Sequence, residues 1–513
     1  MFRTVRHIGR LIRVGFTLAQ HDALTDLLDL FGERPRALDQ LKSMRKVRRP
    51  AEGETPNTRL VLALQSLGPT FIKFGQALAT RPDIIGAEVA LDLMRLQDRV
   101  APFPGSEASK IVAADLGGDI SQFFSDFDEE PVAAASIAQV HRATTTDGRK
   151  VAVKVLRPGI EQAFARDLES FDWLARVVER YSRKSRRLRP TKVIETISET
   201  ISMEMDFRYE AAASSQLKES MQHYPDYDVP EVDWDRTGRQ VLTTEWVDGI
   251  AFSDREALEK SGLDRKILAQ RLVQVFLSQA LDDGFFHADL HQGNLFACEG
   301  NSITAIDFGI MGQIDRKTRR ALAEILYGFI TRDYDRVAQA HFDIGYVHQD
   351  QSLDKFKQAL RAIGDPVIGK PVNEISVGRL LSQLFETTET FNMQTQPQLL
   401  LLQKTMVTVE GVALDLDPDI NMWESSRPII ENWMKKNLGP QAQIRDFTET
   451  AVSIIRKMPK LVDDLEQIAE SAKHMQTFAG RGRDSGWSKP FLLGLAGGLI
   501  ASTFAYLMYI SFN

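Results

Sequence analysis

His287-Ala288-Asp289-Leu290-His291-Gln292-Gly293-Asn294, followed by Ile306-Asp307-Phe308-Gly309, are the stretches on which the fold assignment turns. An aspartate and an asparagine five residues apart on one loop meet two needs of phosphoryl transfer. Asp289 can accept or orient a hydroxyl proton, and the Asn294 carbonyl can ligate Mg2+. The short apolar run before Asp307 reads as a strand, so its carboxylate can hold Mg2+ against the β- and γ-phosphates. Gly309 is expected to let the chain turn sharply away. The same residues also have plainer readings. His287 suits a packed, hydrogen-bonded core histidine, His291 an ordinary loop residue, and His-x-Asp-x-His the start of a metal site.

Working outward toward the N-terminus, Val151-Ala152-Val153-Lys154 closes an alternating apolar strand with a lysine. Strand interiors are depleted in lysine, and in a nucleotide site this one would set a cation on the phosphates. Taken alone, it reads more readily as a solvated strand-end lysine. Order and spacing carry the argument: the strand lysine, then the Asp/Asn loop, then Asp307 18 residues after Asp289.

This set resembles the catalytic core of the protein-kinase-like superfamily, with Lys154, Asp289, Asn294 and Asp307 at the matching positions. The loop is closer to that of small-molecule phosphotransferases than to that of protein kinases, because Ala288 replaces the arginine that often reads an activation-loop phosphate. After Gly309 the chain enters a helix predicted over 316–329 and capped by Asp315. The platform on which protein substrates dock is therefore missing. Four further motifs resemble the UbiB family of atypical kinases linked to ubiquinone biosynthesis: Lys73-Phe74-Gly75-Gln76, Thr80-Arg81-Pro82-Asp83, the alanine-rich 133–141 and Glu204-Met205-Asp206. The likeness runs from about residue 60 to about residue 415.

The resemblance implies an α+β, atypical kinase-like bilobal fold that binds ATP and Mg2+. Its loop of Ala133, Ala134, Ala135 and Ser136, with Gln139 and Val140, stands where kinases carry glycines. Alanines keep the backbone donors but restrict positive φ, so a stiffer loop is expected. Glu204, Asp206 and Glu210 are expected on one helix. The resemblance pairs Glu210 with Lys154 and sends Glu204 or Asp206 to Lys73, whose helix would cover the cleft. It also makes Glu245 and Val247 part of the adenine-reading hinge.

At 513 residues the chain has room for two or three domains or lobes. The net charge of -7 argues against general nucleic-acid binding. A single cysteine, Cys298, excludes an intramolecular disulfide and a cysteine-based zinc cluster. The pattern divides the chain into a basic amphipathic segment (1–50), a helical extension (57–115), a small mixed lobe (116–250), a helical lobe (251–475) and a membrane anchor (487–511). Arg3, Arg6, Arg10 and Arg13 recur at helical spacing, which suits an anionic membrane surface, an ordinary surface helix or an organelle-targeting peptide. From Phe491 to Ile510 the chain is uncharged and long enough to span about 30 Å as a helix. Arg481, Arg483 and Lys489 before it keep the large domain in the cytoplasm.

The expected function is a membrane-anchored kinase or ATPase that makes lipid-soluble quinone precursors available to ubiquinone-biosynthesis enzymes. Asp289, Lys73 and Glu204 are the candidate catalytic residues. Lipid and quinone precursors are expected partners, and Gly494, Gly498 and Ser502 allow a homodimer. The bacterial inner membrane is the expected location, with the mitochondrial inner membrane as the alternative. A nucleotide-gated scaffold, a small-molecule phosphotransferase and, more distantly, a metal-dependent hydrolase are the competing readings.

Overall fold

The structure is a computed structural model that describes residues 2–21, 23, 56–79, 85, 89, 92–93, 96, 100–181, 189–366, 387, 390–391, 393 and 397–438. The anchor expected over 487–511, the end of the helical lobe beyond 438 and the stretch 80–83 lie outside them. No described helix is long and apolar enough to cross a membrane. Residues 1–435 form one compact unit, and 436–513 a second, of which only the end of one helix is described.

Among the described residues, helices α1 (Phe2–Gln20), α2 (Pro56–Leu67) and α3 (Pro69–Ala79) precede the smaller lobe. The basic helix α1 docks on the body of the protein. His7 is buried, its Nδ1 lies 3.0 Å from Ser170 Oγ, and Arg10 is ion-paired with Asp167. Arg10 therefore faces protein and not lipid, while Ile12 and Phe16, one turn apart, are exposed. In α3 a Cβ on Gly75 would stand 2.4 Å from Leu96 Cδ1 and 2.9 Å from Leu64 Cδ1. A larger residue there would force these leucine side chains to move.

The smaller lobe is built on an antiparallel sheet of β1 (Phe124–Phe127), β2 (Ala133–Ala134), β3 (Ala138–Thr145), β4 (Lys150–Leu156) and β6 (Val241–Glu245), ordered β1-β3-β4-β6 with β2 on β3. Side chains alternate across a strand, and β4 shows the consequence. Val151, Val153 and Val155 are buried on one face beneath α4 (Gly105–Leu116), with Ala108, Val112 and Val241. Each such valine contributes about 1.5 kcal/mol or more by leaving water. Lys154 therefore points to the other face, where Leu156 joins Ile160, Ile201 and Phe207. The helix α4 serves this sheet, although the sequence pattern groups it with the extension.

The one helix expected to carry Glu204, Asp206 and Glu210 is two: α6 (Pro190–Glu204), preceded by α5 (Ile160–Tyr181), and α7 (Phe207–Ser220). Asp206 makes the break. Its carboxylate accepts a 3.2 Å hydrogen bond from the Arg208 amide and caps α7. Aspartate in that role offers the backbone an alternative to continuing the helix. Glu204 and Glu210 therefore lie on different helices.

In the larger lobe residues 285–313 hold strands β8 (Phe285–His287), β9 (Leu295–Cys298), β10 (Ser302–Ala305) and β11 (Met311–Gln313). β8 pairs with β11, and β9 with β10, both antiparallel. β10 also pairs in parallel with β5 (Tyr227–Asp228), and β9 pairs antiparallel with β7 (Ile250–Ala251). Helices α8 (Arg265–Ser278), α9 (Arg316–Thr331), α10 (Tyr334–Ile344), α11 (Leu353–Gly364), α12 (Pro397–Leu416) and α13 (Met422–Leu438) complete the described lobe. Asp315 caps α9 as expected, accepting from the Thr318 amide at 2.7 Å.

Candidate active site

Two loops make the floor of the site. One, 288–294, joins β8 to β9; the other, 306–310, joins β10 to β11. Because these strands pair in twos, the loops are drawn side by side. Backbone bonds fasten them further, from the Ile306 amide to the Asn294 carbonyl at 2.9 Å and from the Ala288 amide to the Ile310 carbonyl at 3.0 Å. His287 locks the junction. Its Nδ1 accepts from the Asp289 amide at 3.1 Å, and Nε2 lies 3.1 Å from the Ile306 carbonyl. Nε2 must therefore carry the proton. Burial holds this imidazole below its ordinary pKa, hence neutral. The core-histidine reading of His287 describes it. The metal-triad reading does not, because both ring nitrogens are engaged and no histidine, cysteine, aspartate and glutamate cluster suited to a metal occurs among the described residues.

Asn294 is buried, and its Nδ2 donates to the Asp289 carbonyl at 3.1 Å. That bond fixes the amide plane and turns Oδ1 away from the loop. Asp307 has a left-handed backbone, φ +63°, a conformation that costs a non-glycine residue about 1–3 kcal/mol. The sharp turn expected of Gly309 is thus made by Asp307 itself, and Gly309 has ordinary negative φ. An amide oxygen and a carboxylate are hard donors that fit Mg2+, so Asn294 and Asp307 are suited to that ion.

Above the floor, Lys154 lies between two carboxylates. Its Nζ is 2.7 and 2.9 Å from the two oxygens of Glu210 on α7 and 2.9 Å from Asp307 Oδ1. Burial works against the ammonium, yet Asp307 and Glu210 outweigh it and raise its pKa. Burial likewise disfavours the Asp307 carboxylate, but Lys154, with help from Lys73, holds its pKa well below the usual carboxylate range. Glu210 goes the other way: burial outweighs Lys154 and, with Asp307 adding its repulsion, pushes it up to about 7. Lys73 on α3 reaches Glu204 at 3.2 Å, while Asp206 is paired with Arg208. The break between α6 and α7 is what lets Glu204 and Glu210 serve different lysines.

The alanine loop lies at the start of β2 and β3. Ala133 is exposed, and Ala134, Ala135 and Val140 are half-buried. Arg157 donates to the Ala135 carbonyl at 3.0 Å, which fixes the loop from behind. No residue of this loop has positive φ. Two residues expected to contact the nucleotide are turned inward. Gln139 is buried, accepts from the Phe103 amide at 3.0 Å and donates to its carbonyl at 3.1 Å, with His141 Nε2 2.8 Å away. It ties the segment before α4 to the sheet. Ser136 is buried, and its Oγ has no hydrogen-bond partner among the described residues. Glu245 ends β6 and Val247 follows in the link to the larger lobe; Glu245 is exposed and Val247 half-exposed.

Helix α12 supplies contacts that no motif announces. Lys404 Nζ stands 3.3 Å from Asp289 Oδ1, Thr405 Oγ1 donates to the Ala288 carbonyl at 3.2 Å, and Gln292 Nε2 donates to Asp415 at 2.9 Å. The one available signal is Lys404 itself, a lone cation in a stretch of leucines and valines.

Comparison with known proteins agrees with this geometry. A family described as the ABC1 atypical kinase-like domain matches residues 95–341, and one described as the UbiB helical domain matches 360–421. The curated "Probable protein kinase UbiB" of Aeromonas hydrophila is 41% identical over 478 residues, which is 91% of this chain and 86% of that one. Its namesake in Marinobacter nauticus is 42% identical over 421 residues, 80% of this chain and 77% of that one. The chain belongs to the UbiB family. A solved structure titled as the complex of Rv3197 with erythromycin, from Mycobacterium tuberculosis, shares the fold with a TM-score of 0.51. It is 23% identical and covers 72% of this chain and 93% of its own. The family's helical domain includes α12, so the helix that reaches Asp289 lies within the matched region.

Proposed function

We propose that this protein is a membrane-anchored, Mg2+-dependent atypical kinase or ATPase that supports ubiquinone biosynthesis. The observation that carries the reading is Lys154, held 2.7 Å from Glu210 and 2.9 Å from Asp307. Such a lysine is set to meet nucleotide phosphates, and Glu210 keeps it aimed into the cleft. Asn294 and Asp307 would hold Mg2+, which would offset the negative charge of the phosphates. Asp289 orients the attacking hydroxyl or water. The Lys73–Glu204 pair sets α3 beside the cleft, close enough for the Lys73 charge to act on Asp307. A helix in that place favours hydrolysis, or transfer to a small acceptor, over phosphorylation of a protein.

The uncharged run 491–510 supports anchoring, with the arginines before it keeping the catalytic unit in the cytoplasm. The relatives named above are bacterial, which supports the bacterial inner membrane. In this reading ATP turnover gives pathway enzymes access to quinone precursors dissolved in lipid. The test is Mg2+-dependent ATP hydrolysis by the full chain in liposomes. Turnover that Asp307→Asn lowers by on the order of 10²-fold or more supports the proposal. Intact ATP binding without turnover would replace it with a nucleotide-gated scaffold.

A further inference from the structure

From 287 to 294 the catalytic loop brings no lysine or arginine to Asp289. The strong cation beside that carboxylate comes from α12, 115 residues downstream, with Lys404 Nζ 3.3 Å from Asp289 Oδ1. His291 Nε2 is farther, at 3.7 Å from Oδ2. Lys404 and Asp289 are both partly buried, their side chains 20% and 29% exposed. The helix that carries it is fastened to the loop on either side of Asp289, by Thr405 to Ala288 and by Asp415 to Gln292. A lysine eleven residues before Asp415 lies within about 20° of the same helix face, so one face of α12 addresses the whole loop.

We infer that Lys404 is a catalytic residue, the ammonium that meets the transferred γ-phosphoryl group beside Asp289. The inference rests on the ATP-dependent reading above. In hydrolysis the water oxygen forms a bond to the γ-phosphorus as the bond to the bridging oxygen breaks. The electron pair leaves on ADP, and the proton shed by water passes to Asp289. Negative charge spreads over the phosphoryl oxygens during this step. An ionised Asp289 close to that group would repel it, and an ammonium between the two offsets the repulsion where water is excluded. Lys404 adds no atom to the products. Its location on the helical domain makes completion of the site depend on α12 being docked.

The experiment compares wild type, Lys404→Met and Lys404→Arg, as full chains in liposomes with Mg2+. Affinity is measured for ADP and for ADP with aluminium fluoride, a mimic of the phosphoryl group in flight, alongside kcat. A residue that only pins the loop would change both affinities alike. The expected result for Lys404→Met is ADP affinity within about threefold of wild type, with a loss of about 10²-fold for the fluoride complex and a similar fall in kcat. Lys404→Arg should restore part of both. Equal changes in the two affinities, or no change in either, would overturn the inference. A wild type that neither hydrolyses ATP nor prefers the fluoride complex to ADP would overturn the ATPase reading and this inference with it. If Lys404→Met does not fold, Lys404→Gln serves the same comparison.

Discussion

The two acidic groups of the cleft floor are held in opposite ways. Asp307 has a strained left-handed backbone and sits 2.9 Å from a lysine that is itself gripped by buried Glu210. Asp289 has a looser setting, with Lys404 at 3.3 Å and His291 at 3.7 Å. The first arrangement is a clamp and the second is adjustable. On the function proposed above, positioning of phosphates and metal would tolerate no play, whereas a group that orients a nucleophile and takes its proton would have to change partners during the reaction. The difference in rigidity follows the difference in task.

The comparison is broken most severely by Lys154→Met, which leaves Glu210 and Asp307 facing each other without a counter-charge. Removing one partner of a buried ion pair costs about 3–5 kcal/mol, and protonation of Glu210 keeps the expected loss near the lower bound. Urea unfolding measures it, and a loss below about 1 kcal/mol would mean that the clamp is not rigid. Next comes the backbone at 307. Glycine accepts φ +63° and alanine does not, so Asp307→Gly should be more stable than Asp307→Ala by about 1 kcal/mol. Equal stabilities would deny the strain. At the looser carboxylate, Lys404→Met should cost less than about 1 kcal/mol in unfolding, because a partly exposed pair contributes little.

The smallest effect is a pH slope. Glu210 has its folded pKa raised from 4.5 to about 7. Its share of stability is therefore full below pH 4.5 and lost as pH rises through about 7. Glu210→Gln should flatten the dependence of stability on pH across that window. An unchanged slope would assign the titration elsewhere.

What was legible in the sequence was chemistry packed into short segments. Lys154, Asp289, Asn294 and Asp307 each stand in a motif whose spacing fixes their neighbours; resemblance pairs Glu210 with Lys154 and leaves the partner of Lys73 open between Glu204 and Asp206, of which the structure takes Glu204. The break at Met205-Asp206 escaped because no proline or glycine marks it. Asp206, a preferred capping residue, carried the signal. Gln139 was read as a nucleotide contact because it sits in the alanine loop. Strand alternation and an intervening β-ladder turn it instead toward Phe103, which lies 36 residues away in sequence. Lys404 was invisible because ion pairs across 115 residues leave no local pattern.

The pairing of β8 with β11 and of β9 with β10 has a consequence for how the site is assembled in time. Asp289, Asn294 and Asp307 all fall within residues 285–313, where the β9–β10 hairpin closes a short loop and the β8–β11 ladder then closes around it. Short closures cost little chain entropy and form early. Lys154, Glu210 and Lys404 must arrive from much farther along the chain. The metal-binding floor is thus expected to gain its register first, and the lysines to dock onto it afterwards, so that charge is delivered last to a site whose shape is already set.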